Sequence, residues 1–236
     1  CIRDSHRVDP DIIDMQEVLH HQLEVLKTGL PEYTVVGVGR EDGKTAGEYA
    51  PIFFKQAKYT LLDQNTFWLC EKPDSVGMVG WDAALTRIAT WVKLQDKKTG
   101  QILMVVNTHF DHIGTEARRN SALLIIEKIK EIVGTSPAIL TGDFNVSEDW
   151  DAYKTITNNE FILKDAHKVA GKRTGVDFTY HNFGKIPAEK CEKIDFIFVT
   201  PQIRVISSYI PFSQLNDTLF LSDHNPEIVE LEIEKS

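Results

Sequence analysis

Cysteine is scarce in this chain. Cys1, Cys70 and Cys191 are odd in number and widely spaced, with no CxxC pair, so neither a disulfide framework nor a zinc knuckle is indicated. Long apolar runs are missing too: none approaches the roughly 18 residues of a membrane-spanning helix. No signal peptide is visible, and the sequence opens on Cys1 without an initiator methionine, as a processed or trimmed chain would. Localisation is left open by that, secreted and periplasmic included. Basic charge is in deficit, with 26 Lys and Arg against 35 Asp and Glu and a net charge of -9, which argues against a broad surface for duplex nucleic acid. A small phosphorylated substrate is not excluded, because a divalent metal supplies positive charge locally. Repeats, low-complexity segments and Pro/Gly/Ser-rich linkers are absent, so residues 1–236 read as one domain.

What is present is a soluble globular composition, 42% hydrophobic and 26% charged. Strands are expected over 11–18, 33–38 and 48–55, with Pro51 marking an edge or bulge in the third. Between the first two, Leu19, Leu23 and Leu26 recur at helical spacing until Gly29 and Pro31 stop the helix. A polar, glycine-rich loop, 39–47, reads as a mobile tip. Short β pieces follow over 59–62 and 66–69, then a loop over 70–82, and a hairpin over 87–95 and 102–108 turning at 96–100. The clearest helix is 117–133, where Ala122, Ile125, Ile126, Ile129 and Val133 form one apolar stripe. An apolar strand from Pro137 ends on Gly142-Asp143-Phe144-Asn145, followed by a helix over 149–157 and a polar loop over 168–192. The strand 194–199 carries Asp195, and strands over 205–210 and 226–233 flank Ser222-Asp223-His224-Asn225-Pro226. Strands outnumber helices, and hairpins mix with strand–helix–strand steps, which points to two sheets covered by helices.

Polar residues gather where these strands end. Glu17, His109 in Asn107-Thr108-His109, Asp143 with Asn145, Asp195, and Asp223-His224 each lie in or just after an apolar strand. Singly, each has a structural reading: Asp143 as a turn cap with Asn145 in a left-handed backbone, Asp195 as a satisfied buried hydrogen-bonder, His109 as a core or edge histidine, Glu17 as a surface residue. Together they are harder to dismiss, since neighbouring buried carboxylates are costly unless a cation or hydrogen-bond donors compensate. Such an oxygen-rich site suits Mg²⁺, and Mn²⁺ also fits. The histidines lack zinc-finger spacing.

In order along the chain, Gln16-Glu17, Asn107-Thr108-His109, Gly142-Asp143-Phe144-Asn145, Ile194-Asp195-Phe196-Ile197 and Ser222-Asp223-His224 resemble the endonuclease/exonuclease/phosphatase superfamily, which includes DNase I-like nucleases, abasic-site endonucleases, deadenylases, inositol phosphatases and sphingomyelinases. The resemblance spans residues 11–232. It implies a four-layer α/β/β/α sandwich with two packed mixed β-sheets, a site at one edge, and metal-dependent hydrolysis of a phosphodiester or phosphomonoester. By that resemblance Glu17 is the metal-binding glutamate and Asp223 a carboxylate near the metal. Asp143 aims or deprotonates the attacking water, and Asn145 holds a phosphate oxygen. His224 contacts the scissile phosphate or acts as general acid or base, Asp195 fixes its tautomer, and His109 is a second histidine with Glu48 as its orienting partner. The superfamily normally begins with a strand carrying a metal-site asparagine. The sequence shows no such strand, and loss of an internal strand would orphan many backbone groups, so residues ahead of Cys1 are expected.

For the substrate, Arg87 is placed to reach a phosphate, and Asn107 and Tyr180 are expected at the cleft beside Phe178 and Phe183. Trp81 is either a stacking platform or a plug at the core edge, and Asp111 either joins the site or structures its loop. The expected partner is a small phosphorylated molecule or a short single-stranded nucleic acid, with duplex DNA disfavoured and the protein monomeric. The contrasting reading, a non-catalytic binding protein that keeps the fold, predicts loss of several polar site residues. All of them are present.

Overall fold

Three parallel or antiparallel neighbours at the centre of one sheet set the architecture, and the helices cover what those strands leave apolar. The computed structural model describes residues 2–134, 136–158, 163–212, 214–216 and 219–234. In chain order the elements are α1 (Ile2–Val8), β1 (Ile12–Asp14), α2 (His20–Gly29), β2 (Tyr33–Val36), β3 (Ile52–Lys55), β4 (Tyr59–Trp68), β5 (Ile88–Asp96), β6 (Ile102–His109), α3 (Thr115–Val133), β7 (Ala138–Asp143), α4 (Asp151–Thr157), β8 (Lys164–Asp165), α5 (Ala166–Val169), β9 (Lys172–Gly175), β10 (Asp195–Val199), β11 (Ile203–Ile210), β12 (Gln214–Asn216), β13 (Leu219–Phe220) and β14 (Ile228–Ile233).

The main sheet has the order β4-β5-β6-β7-β10-β8 and is mixed: β6 and β7 run parallel, joined by α3, and the other pairs are antiparallel. The facing layer consists of two three-stranded sheets, β1-β3-β2 and β14-β11-β9. The apolar stripe of α3 and Ala152, Tyr153 and Ile156 of α4 bury one face of the main sheet. Between the sheets lie Phe54, Val92, Leu94, Val105, Ile139, Val199 and Val205. On the far side Leu23 and Leu26 of α2 pack with Tyr33 and Phe53. This is the expected α/β/β/α layering with packed mixed sheets. No helix among the described residues is long and apolar enough to cross a membrane. Cys70 and Cys191 are free thiols, and Cys1 lies outside the described residues.

Several local expectations shift. The two short β pieces are one strand, β4, with a register slip between Leu61 and Asp63. β4 is an edge strand, so exposed Asp63, Gln64 and Asn65 need no apolar alternation, and a bulge absorbs the change of pattern. The first strand stops at Asp14, and Glu17 beyond it adopts φ 59. The 168–192 loop begins within α5 and contains the edge strand β9, which pairs parallel to β11. Residues 39–47, read as a mobile tip, are pinned by Gly39 N–H to the Lys44 carbonyl (3.0 Å), Glu41 N–H to the Ala46 carbonyl (3.1 Å) and the Asp42 carboxylate accepting from the Lys44 and Ala46 amides.

Candidate active site

Register places the site. His109 at the end of β6 pairs with Asp143 of β7, and Asp143 pairs with Asp195 of β10, so three polar residues from three strands stand side by side at one edge of the main sheet. Gly142 makes the close packing there workable: a Cβ on it would lie 2.2 Å from the Thr108 carbonyl oxygen. The buried Asp143 carboxylate accepts from the Asn145 amide (2.9 Å) at Oδ1, and its Oδ2 lies 3.5 Å from His109 Nε2 and 3.9 Å from His224 Nε2. Asn145 has φ 50 and donates from Nδ2 to the Phe110 carbonyl at 3.0 Å. Asp195 Oδ2 lies 2.7 Å from His224 Nδ1, which directs Nε2 of that imidazole toward Asp143.

Burial, and after it the charge of Asp195, pushes the Asp143 carboxyl up. Burial opposes charge on His224, but the Asp195 hydrogen bond and the charges of Asp195, Asp143 and Asp223 win and raise it to about 9. The His224 imidazole therefore stays charged at neutral pH between the Asp195 and Asp143 carboxyls. His109 goes the other way. Burial, then the cations Arg87 and Arg40, hold it well below the ordinary histidine value, so it is a neutral imidazole, and its Nδ1 has no hydrogen-bond partner among the described residues.

A second group faces the first. Glu17, Glu48 and His109 each offer one ligand atom, all within 4.8 Å of one another, and Asp143, Asp195 and His224 do the same. Burial followed by the charges of Glu48 and Asp223 raises Glu17, so the acids here lack sufficient positive charge. Carboxylate oxygens with imidazole nitrogen, mutually repelling, are a donor set that a hard divalent cation fits. Asp223 belongs to neither group but acts electrostatically on both Glu17 and His224.

The other expected residues sort themselves by what they touch. Arg87 is 4% exposed. Its Nη2 meets His112 Nδ1 at 3.2 Å, its Nε lies 3.6 Å from Asp111 Oδ2, and Nε and Nη1 make no hydrogen bond among the described residues. Asp111 structures its loop: despite burial, backbone N–H donors including those of Gly114 (2.7 Å) and Ile113 (2.9 Å) hold it down to about 2. Tyr180 lies beside His224, ring centroids 5.0 Å apart. Trp81 is half-buried and packs against the α3 side of the core. Asn107, expected at the substrate, is wholly buried. Its amide donates to the Met15 (2.7 Å) and Pro51 (3.0 Å) carbonyls and accepts from Gln16 Nε2 (2.7 Å), so it braces the segment that carries Glu17.

Three features carried no sequence signal strong enough to single them out. Arg40, buried to 8%, donates to the Glu48 carboxylate. Asp14 is half-buried as a residue but its carboxylate is enclosed, with one oxygen accepting from Thr141 Oγ1 (2.7 Å), and desolvation raises it to about 7. Lys193, behind the dyad, donates to the Asp195 carbonyl (2.7 Å) and to Glu227 (2.8 Å) and lies 3.9 Å from the Phe196 ring centroid.

Residues 3–224 match the Endonuclease/Exonuclease/phosphatase family. The chain belongs to that family. Among solved members, an endonuclease/exonuclease/phosphatase from Bacteroides vulgatus is 62% identical at TM-score 0.96, covering 99% of this chain and 88% of that one. A mannosyl-6-phosphatase of Bacteroides thetaiotaomicron is 37% identical at TM-score 0.92, covering 98% and 89%. A probable RNA exonuclease of Saccharomyces cerevisiae is 27% identical over 179 residues, 69% of this chain and 34% of its own length. Members of the Endonuclease/Exonuclease/phosphatase family are phosphoesterases, and they generally use a divalent metal.

Proposed function

We propose that this chain is a divalent-metal-dependent phosphoester hydrolase, with Mg²⁺ as cofactor and Mn²⁺ able to replace it, that attacks a small phosphorylated substrate in line with water. The observation that carries this is the edge shared by β6, β7 and β10, where a proton-holding Asp143–His224–Asp195 group faces a carboxylate–imidazole group beside two guanidiniums. Glu17 holds the metal, with Glu48 and His109 in reach and Asp223 close by. When bound, the cation neutralises charge on the phosphoryl oxygens and acidifies water.

The chain's own residues do the rest. Asp143, held at Oδ1 by the Asn145 backbone N–H, aims the water with Oδ2 and takes its proton as the ester P–O bond breaks on the far side, the leaving alkoxide taking a proton from solvent. Imidazolium His224, kept charged by Asp195, donates from Nε2 to the phosphoryl group. Neutral His109 and the second N–H of the Asn145 side-chain amide donate further hydrogen bonds, and Arg87 and Arg40 lend positive charge from behind. Asn107 positions Glu17 through the backbone of Met15, and the Tyr180 ring packs beside His224.

A dianionic sugar phosphate monoester suits a site that would hold a divalent cation and has Arg87 and Arg40 behind it, and it suits the 37% identity to a mannosyl-6-phosphatase. Short single-stranded nucleic acid is the second reading, favoured by the similarity to a probable RNA exonuclease and opposed by the net charge of -9. We take residues 1–236 as one catalytic unit working as a monomer. The test is a panel of mannose 6-phosphate, glucose 6-phosphate, p-nitrophenyl phosphate, bis-p-nitrophenyl phosphate and short RNA, with Mg²⁺ and with EDTA. Metal-dependent release of phosphate from the monoesters is expected. Turnover of the RNA alone would transfer the assignment to a nuclease.

A further inference from the structure

Beside the catalytic edge lies an open groove of about 730 Å³ that the phosphate chemistry leaves unused. It begins at Val146, the residue after Asn145, and runs between the N-terminal turns of α3 and α4. Its floor is tied to the catalytic loop: Arg118 Nη1 donates to the Asp111 carbonyl at 2.9 Å, and Asn145 Nδ2 donates to the carbonyl of the adjoining Phe110.

From this groove we infer a subsite for the uncharged, polyhydroxylated part of the substrate, a sugar ring whose phosphate lies over Asp143. The inference rests on the phosphoester hydrolase reading above.

The residues make the chemistry specific. Trp150 is 44% exposed, an unusual position for an indole, and the Arg118 guanidinium lies 5.0 Å from its ring, which fixes the plane the ring presents. Arg118 is 97% buried by the complement of its 3% exposure, lines the groove, and its Nε has no hydrogen-bond partner among the described residues. Around them stand Asp82, Glu116, Asp149 and Asp151 against Arg118 and Arg119. That excess of carboxylate repels a nucleic-acid backbone and accepts hydrogen bonds from hydroxyls. Arg119 and Asn120 make no side-chain hydrogen bond among the described residues, which leaves them free to donate. A second phosphate is excluded at the α3 N-terminus, because Asp82 already accepts from the Ala117 (2.6 Å) and Glu116 (3.2 Å) amides. A flat apolar face with carboxylate, amide and guanidinium groups around it fits the C–H face and hydroxyl rim of a pyranose.

The test compares kcat/KM for mannose 6-phosphate and for p-nitrophenyl phosphate, which has no sugar, in wild type, Trp150→Ala and Trp150→Phe, with Leu123→Ala as an exposed α3 control. Trp150→Ala is expected to lower the ratio of the two kcat/KM values on the order of tenfold, mostly through KM for the sugar phosphate, with Trp150→Phe recovering most of it. An unchanged ratio in a variant whose melting curve matches wild type overturns the subsite while leaving the hydrolase intact. A shift seen with adenosine 5′-monophosphate and not with mannose 6-phosphate overturns the sugar assignment. If wild type hydrolyses neither ester, the hydrolase reading has failed, and saturation-transfer NMR with free mannose decides the groove: transfer lost in Trp150→Ala supports it, and no transfer to wild type overturns it.

Discussion

Asp195 Oδ2 and His224 Nδ1 are 2.7 Å apart, and this contact outweighs burial in setting the protonation of His224. It keeps His224 charged to about 9, where an ordinary histidine loses its proton near 6.5. Activity that needs imidazolium His224 should therefore persist through neutral pH and fall as pH rises through about 9. In Asp195→Asn the alkaline limb should move down toward about 6.5, with kcat lower by about 30-fold at pH 8. The pH profile of kcat checks both; an unmoved limb would assign the ionisation elsewhere.

Asp143 illustrates a cost of that arrangement. Its pKa is raised in the folded protein, chiefly by burial, so ionising it is harder folded than unfolded. The sign follows: the penalty is absent below the unfolded value near 3.9, and it grows as pH rises from there toward the folded value. Asp143→Asn should abolish turnover yet stabilise the metal-free protein at pH 7, with no gain at pH 3. Thermal melts at the two pH values in EDTA test this.

Lys193 and Glu227 form a buried ion pair, side chains 6% and 2% exposed, whose cation also holds the Asp195 carbonyl. Burial already raises Glu227, so removing Lys193 strands a charge. Lys193→Met should cost about 3 kcal/mol or more, and Lys193→Met with Glu227→Gln should recover much of it. Urea unfolding of the three proteins decides; equal loss in single and double variants would refute the pairing.

Asn107→Ala removes the brace between Met15, Pro51 and Gln16. A fold loss of about 2 kcal/mol is expected from the carbonyls left unpaired. Because Glu17 is positioned through that backbone, Mn²⁺ affinity should fall by tenfold or more, read by electron paramagnetic resonance titration. Unchanged affinity would separate Asn107 from the metal group.

What was legible in the sequence follows from how locally each feature is written. Asp143 and Asn145 end an apolar strand at a glycine, so strand, turn and polar pair appear within nine residues of one another. The helix α3 was readable because a 3.6-residue stripe repeats along it. Pairings made only by the fold were not. Lys193 and Glu227 lie 34 positions apart, and Arg40 sits in a glycine-rich segment whose cross-loop hydrogen bonds no composition reveals. Asn107 shows a further limit: two positions before a site histidine it shares that residue's face of β6 and looks like a ligand, yet it lies further in under the facing sheet, where its side chain is taken up by Met15 and Pro51. Trp81 and Trp150 are alike as residue types, and only the fold separates the half-buried ring packed on the core from the exposed one.

The central claim is that a divalent cation at Glu17 and the Asp143–His224 pair together hydrolyse a small phosphomonoester. The direct measurement is phosphate release from mannose 6-phosphate by wild type and Glu17→Gln in EDTA and across a Mg²⁺ titration. Wild-type activity should be lost in EDTA and restored by Mg²⁺, with Glu17→Gln needing at least tenfold more Mg²⁺ for half-restoration. Full turnover in EDTA, or a Glu17→Gln titration that overlays wild type, would contradict it.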